Sequence, residues 1–172
     1  VVDDKEIKIN KYWDPFQETK LLESPTQIVQ LIGNCLNEVA QQHLVSDVSI
    51  GAFLSGGIDS SAVVSMISTN TPTPIKTIAV TFKDKVFDES KYSSLVANHF
   101  GTQHQEFLLS ETDLIENLIP AIGSMDQPTV DGINTYMISQ AAKSMGLKVA
   151  LSGLGGDELF AGYNSFSIVP RL

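Results

Sequence analysis

Residues 55–61, Ser-Gly-Gly-Ile-Asp-Ser-Ser, place two glycines and three hydroxyls around one carboxylate. Adjacent glycines let a backbone turn sharply and approach a ligand closely, because no Cβ stands in the way. Backbone N–H groups at a helix start, with the Ser55, Ser60 and Ser61 hydroxyls near them, form an oxyanion cradle suited to phosphate. The common phosphate loop needs a lysine after its last glycine, and none follows Gly57. Asp59 admits two readings that the residues weigh equally. It caps its helix, or it holds a cation, since a carboxylate among phosphate donors otherwise repels the phosphate. Mg²⁺, bound through one or two carboxylates and phosphate oxygens, relieves that repulsion. A second segment at 152–158, Ser-Gly-Leu-Gly-Gly-Asp-Glu, repeats the theme with Ser152, Gly153, Asp157 and Glu158. Two such loops at strand ends of one sheet can face one nucleotide and share one metal.

Those loops need elements to carry them. Ile28, Leu31, Ile32, Cys35, Leu36 and Val39 share one helical stripe, and Ser24-Pro25 opens it, so a helix is expected over about 25–45. Cys35 then reads as a buried core thiol. The apolar run at 48–54 reads as a buried strand, the β-branched run at 75–82 as a second, and 104–109 and 147–152 as two shorter ones. Between them, helices are expected from Asp59 to about 69, over 88–101 closing at Gly101, after an N-cap at Ser110 with Asp113 three residues on, and over 132–146 closing at Gly146. Strand and helix alternate, which predicts an α/β fold of three layers, α/β/α, with a mostly parallel sheet. In such a sheet ligands bind beyond the carboxyl ends of the strands, where both glycine loops fall.

Composition narrows the function classes. The chain of 172 residues is 42% hydrophobic and carries a net charge of −9. That is globular composition without an electrostatic footprint for nucleic acid or an anionic membrane. No apolar run reaches the ~20 residues that span a bilayer. One cysteine allows no internal disulfide, which suits the cytoplasm. The chain does not begin with methionine and reads as an excised fragment. Residues 1–24 read as a linker and 25–172 as one domain. Trp13, with Tyr12, is expected to pack that linker, and His99 and His104 read as surface histidines.

The motifs Lys-Tyr-Trp-Asp-Pro at 11–15, Phe-Asp-Glu-Ser at 87–90, Met-Asp-Gln-Pro-Thr at 125–129 and the two glycine loops resemble the synthetase domain of glutamine-hydrolysing asparagine synthetases. That domain is a member of the ATP pyrophosphatase superfamily. The first loop alone is shared with NAD, GMP and argininosuccinate synthetases and with tRNA-modifying enzymes; the second loop with Phe-Asp-Glu-Ser is more specific. The resemblance implies an adenine nucleotide alpha hydrolase-like fold, ATP and Mg²⁺. It also implies a small carboxylic acid substrate, a preceding glutaminase domain that supplies ammonia, and a homodimer. By resemblance, Leu54, Val80, Ser152 and Gly153 contact the nucleoside. Ser55, Gly56, Gly57, Asp59 and Ser60 hold pyrophosphate, while Asp59 and Asp157 hold the metal. Asp88 and Glu89 fall at the site's rim, and Asp126 is a candidate to face the acceptor.

The resembling enzymes carry glutamate at the position of Leu154, where it serves amidation. Leucine cannot accept a proton, so an acceptor other than aspartate, such as a sugar acid, is the alternative substrate. A nucleotide-binding module without chemistry is the alternative function, and a tRNA-modifying enzyme the third. The acidic charge and lack of paired cysteines disfavour the third.

Overall fold

The computed structural model describes residues 2–3, 6–7, 9, 11–12, 14, 24–82, 89–127, 129 and 131–168. Trp13 and Asp88 lie outside the described residues. The chain divides into two compact units, Val1–Asn34 and Cys35–Leu172. In the first, β1 (Val2–Asp3) and β2 (Glu6–Ile7) pair antiparallel where only a polar linker was expected. Helix α1 (Pro25–His43) begins in that unit. Its start is a reciprocal cap. The Ser24 N–H donates to Gln27 Oε1 at 2.9 Å, and the Gln27 N–H reaches back to Ser24 Oγ at 3.4 Å.

The second unit alternates β3 (Ile50–Phe53), α2 (Ile58–Asn70), β4 (Lys76–Phe82), α3 (Ser90–Phe100), β5 (Gln103–Leu109), α4 (Glu111–Gly123), α5 (Gly132–Ser144), β6 (Val149–Leu151), α6 (Gly156–Phe160) and α7 (Ser165–Ile168). The four longer-range strands form one sheet in the order β5-β4-β3-β6, and every pair is parallel. Side chains alternate across it. Ala52 joins Leu54, Val64, Ile67, Ile75 and Ala97 on the side of α2 and α3. Its neighbour Phe53 packs with Ile78, Ala141, Ala142 and Leu147 on the side of α5. Helices therefore cover both faces, and the expected three-layer α/β/α arrangement is the one observed.

Local signals set the helix ends. The Ser110 hydroxyl accepts from the Asp113 N–H at 3.1 Å while Asp113 Oδ2 accepts from the Ser110 N–H at 2.9 Å, a complete capping box on α4. Gly101 closes α3 at φ 63°, in the left-handed region. The strand order matters more for function. From β3 the chain steps to β4 and β5 in one direction, then β6 returns to the opposite side of β3. Connections leaving β3 and β6 thus diverge, and the crevice between their carboxyl ends is a topological switch point.

Three residues differ from expectation. Tyr12, expected to pack the linker, is 99% exposed. Cys35 is exposed, not a core thiol, because α1 buries no residue of its apolar stripe. His104 is largely covered, with 11% of its side chain exposed. On strand β5 it faces Thr77 of β4, whose hydroxyl lies 2.9 Å from His104 Nδ1 and 2.7 Å from Thr102 Oγ1. A surface reading failed there because parallel pairing with β4 turns residue 104 toward α3. Burial lowers the His104 pKa below its usual 6.5, outweighing the Glu106 carboxylate 3.9 Å away. The unfolded chain therefore takes up this proton first. Stability from His104 is intact above pH ~6.5 and falls as the pH drops toward the lower folded pKa, by at most about 1.4 kcal/mol per pH unit. Chemical denaturation from pH 8 to 5 should show that decline, and His104→Asn should flatten it. Identical profiles for the two proteins would remove His104 as the source.

Candidate functional site

The first loop leaves β3 at Leu54, whose N–H donates to the Ile78 carbonyl at 2.8 Å and whose side chain is fully buried. The chain then turns at Ser55 and Gly56 and enters α2 at Ile58. Gly56 is held for two reasons. Its φ is +91°, and a Cβ there would stand 2.6 Å from the backbone nitrogen of Ser93 in α3. Gly57 is different, because its φ is −68° and a Cβ would meet only Ser55 Oγ, at 3.4 Å. Space lies open in front of it.

Gly57 is also the N-cap of α2, and no side chain caps that helix. Asp59, the second helical residue, is therefore not the N-cap. The first turn keeps N–H groups without intrahelical partners, beside the positive end of the helix dipole. Hydroxyls frame this turn. Ser55 Oγ and Ser60 Oγ are 3.0 Å apart, Ser55 Oγ accepts from the Gly57 N–H at 3.2 Å, and Ser61 Oγ donates to the Gly57 carbonyl at 2.7 Å.

The second loop comes to the same place. A Cβ on Gly153 would stand 2.7 Å from the backbone nitrogen of Ser60 and 2.9 Å from the carbonyl carbon of Asp59. One on Gly156 would collide with the Asp59 carboxylate. The loop thus presses glycine backbone onto the first turn of α2, and Asp157 follows Gly156 directly. Among the described residues neither the Asp59 nor the Asp157 carboxylate has a hydrogen bond or a basic partner. Ser152 is exposed and its hydroxyl accepts from the Leu154 N–H at 3.1 Å. Leu154 itself is 87% exposed.

Of the residues singled out in the sequence, Ser55, Gly56, Gly57, Asp59, Ser60, Gly153 and Asp157 gather at this crevice. Val80 stands half-buried on β4, two residues beyond Ile78, which pairs with Phe53 of β3. Asp126 is exposed on the segment after α4. Sequence reasoning missed Tyr163, whose hydroxyl donates to Glu158 Oε1 at 3.0 Å. That hydrogen bond, with the charges of Glu158, Asp157 and Asp131 around it, raises the tyrosine pKa above its usual 10.0. It also missed Gly156 and Gly162, for which the run of glycines around Asp157 was the available signal.

A profile described as asparagine synthase matches residues 32–170. The chain belongs to the asparagine synthase family. A Methanocaldococcus jannaschii protein with the provisional name of a glutamine-hydrolysing asparagine synthetase is 34% identical over 165 residues, 94% of this chain and 32% of that protein. Glutamine-hydrolysing asparagine synthetase 1 of Bacillus subtilis is 34% identical over 142 residues, 81% of this chain and 22% of its own length. The chain thus spans a third or less of these relatives. In fold it is similar to an ammonia-dependent NAD synthetase from Campylobacter jejuni, with a TM-score of 0.51, 16% identity and coverage of 78% of this chain and 60% of that one. The family's adenine nucleotide alpha hydrolase-like architecture is the one seen here. No helix among the described residues is long and apolar enough to cross a membrane.

The two glycines of the first loop make a testable contrast. Gly56→Ala meets both a positive φ and the backbone of α3, and is expected to destabilise by about 2–4 kcal/mol. Gly57→Ser fits the extended backbone and supplies the cap the helix lacks, so stability is expected to hold or rise by about 0.5 kcal/mol. Its hydroxyl would also occupy the N–H groups and space of the cradle, weakening ATP binding roughly tenfold. Thermal melts and ATP titrations of both variants check this. A Gly57→Ser protein that binds ATP normally would show that the cradle is not used.

Proposed function

We propose that this chain is the ATP-binding, carboxylate-activating part of a glutamine-dependent amidotransferase. The observation that carries the proposal is the contact of Gly153 and Gly156 with the Asp59–Ser60 turn. It joins two glycine loops into one anion-binding crevice at the switch point of a parallel sheet. The pyrophosphate end of ATP fits the cradle of Ser55, Gly56, Gly57 and Ser60. Nucleoside contacts fall to the Leu54 backbone carbonyl, Val80, Ser152 and Gly153. Among the described residues no three His, Cys, Asp or Glu side chains form a metal site. Two unpartnered carboxylates beside a phosphate cradle nevertheless suit Mg²⁺, which takes few protein ligands and completes its shell with phosphate oxygens. Asp59 and Asp157 would hold it, and it would supply charge neutralisation on the phosphates.

The proposed reaction runs in two steps. A substrate carboxylate oxygen attacks the α-phosphorus of ATP, the bond to the β-phosphate bridge breaks, and pyrophosphate leaves. Ammonia then attacks the acyl carbon, AMP leaves with the C–O bond's electrons, and a base takes the nitrogen's extra proton. The first step suits the crevice, because α2's free N–H groups stabilise charge on departing pyrophosphate without reorganising. In this reading residues 1–24 link to a glutaminase domain that provides ammonia, residues 25–172 belong to the synthetase domain, and the protein works in the cytoplasm as a homodimer. The exposed Leu154 side chain favours an acid other than aspartate.

ATP–pyrophosphate exchange with the full-length protein, across a panel of amino acids and sugar acids, tests the proposal. Exchange that depends on one acid is expected. ATP binding without exchange for any acid would favour a nucleotide-binding module without chemistry.

A further inference from the structure

We propose that Gly156 and Gly162 are positioning residues, each forming the seat on which one of the two site carboxylates rests. This rests on the reading of Asp59 and Asp157 as cation ligands and adds residues that act through them. A Cβ on Gly156 would fall 2.5 Å from Asp59 Oδ2 and 2.8 Å from Oδ1. A Cβ on Gly162 would overlap Asp157 Oδ1 and fall 2.9 Å from its Cγ. In both cases the crowded atoms belong to a carboxylate, and in both it is a proposed ligand.

Backbone conformation does not explain these glycines. Gly155, directly before Gly156 in the same loop region, has φ +97° and nothing within 4 Å of its absent Cβ, so there the left-handed dihedral alone favours glycine. Neither Gly156 nor Gly162 has a positive φ of this kind. The demand for a missing side chain comes from the neighbouring carboxylate. Nor can the seats easily retreat. The Gly156 N–H donates to the Gly153 carbonyl at 3.1 Å, and Gly153 itself abuts the backbone of Asp59 and Ser60. The Gly162 N–H donates to the Asp157 carbonyl at 2.9 Å, closing α6 against the residue whose side chain it supports.

A carboxylate without hydrogen bonds is free to swing about its χ1 and χ2. Backbone packed against one side removes part of that freedom and leaves the other side for a cation. Adding one methyl group at either seat would push the carboxylate off its present rotamer. Residues that orient metal ligands typically change metal affinity roughly 10- to 100-fold when altered.

The test uses the full-length protein, Mn²⁺ as the spectroscopic probe and a non-hydrolysable ATP analogue. Free Mn²⁺ is read by electron paramagnetic resonance, and thermal melts run in parallel. Gly156→Ala is expected to weaken Mn²⁺ binding roughly tenfold or more, and to do nothing further when Asp59→Asn is already present, because Asn keeps the shape but not the ligand. Gly162→Ala should behave likewise with Asp157→Asn. If Gly156→Ala lowers the melting temperature, Asp59→Ala in the same chain should restore it by removing the clashing carboxylate. Normal Mn²⁺ affinity in Gly156→Ala, an equal loss in the Asp59→Asn background, or a melting loss that Asp59→Ala does not relieve would each overturn the proposal. If Asp59→Asn by itself leaves Mn²⁺ binding unchanged, the cation-ligand reading fails as well. If Asp59→Asn weakens binding while Gly156→Ala does not, only the seat is lost.

Discussion

A full-length protein offered glutamine, Mg-ATP and aspartate is expected to form asparagine about 10²- to 10⁴-fold more slowly than it amidates its own acid, the range a positioned general base typically supplies. The reason is Leu154, which stands 87% exposed at the second loop beside the crevice. Ammonia attack on an acyl carbon leaves an extra proton on nitrogen. A glutamate at this position, as in the enzymes the sequence resembles, could accept it; leucine cannot. An apolar side chain there also suits an acceptor larger or less charged than aspartate. Product analysis with aspartate against a panel of amino and sugar acids is the measurement. Leu154→Glu should raise asparagine formation where the rest of the acceptor pocket allows it. Asparagine made at the rate of an ordinary metabolic enzyme, near ~10 s⁻¹, would show that position 154 does not select the acceptor.

Asp59→Asn and Asp157→Asn are each expected to weaken Mg-ATP binding roughly tenfold to a hundredfold, the equivalent of about 1.5–3 kcal/mol for a lost charge-assisted ligand. Stability should barely move. Neither carboxylate holds a hydrogen bond or an ion pair among the described residues, and Asp59 does not cap α2, so folding has little to lose from either change. That separation is the point of the experiment, because a structural role would show in the melt and a ligand role in the titration. Isothermal titration with Mg-ATP checks it. Unchanged affinity in both variants would leave two surface acids near a helix start and nothing more.

Much of this was legible in the sequence, because the signals concerned are local. β-branched runs alternating with helical stripes specify strands and helices in turn, and their alternation alone implies a parallel sheet covered on both faces. Ser110 with Asp113, and the glycines at 101 and 146, mark helix ends through hydrogen bonds that span only a few residues. The chemistry of the two glycine loops was legible for the same reason, as residue types set close together in the chain. Local signals mislead where burial depends on distant partners. Cys35 lies on a faithful apolar stripe, yet α1 has nothing buried along it. His104 lies in a polar-looking strand, yet pairing with β4 turns it toward Thr77.

Residue types alone thus determined that two phosphate-suited loops exist, that each carries a carboxylate, and that both follow strands. Only the tertiary structure decided that they meet. The loops lie about a hundred residues apart, and no local signal orders strands within a sheet. Placing β6 beside β3 rather than beyond β5 reverses the strand order and opens the crevice. The fold also divided the glycines by their duties. Gly56 is glycine because α3 stands against it, and Gly57 leaves room in front of α2. Gly153 and Gly156 let one loop lie flat on the other. In the sequence these are identical residues; their reasons differ because at Gly56, Gly153 and Gly156 the fold brings distant backbone or a carboxylate within 3 Å of an absent methyl group, and at Gly57 nothing stands closer than Ser55 Oγ at 3.4 Å.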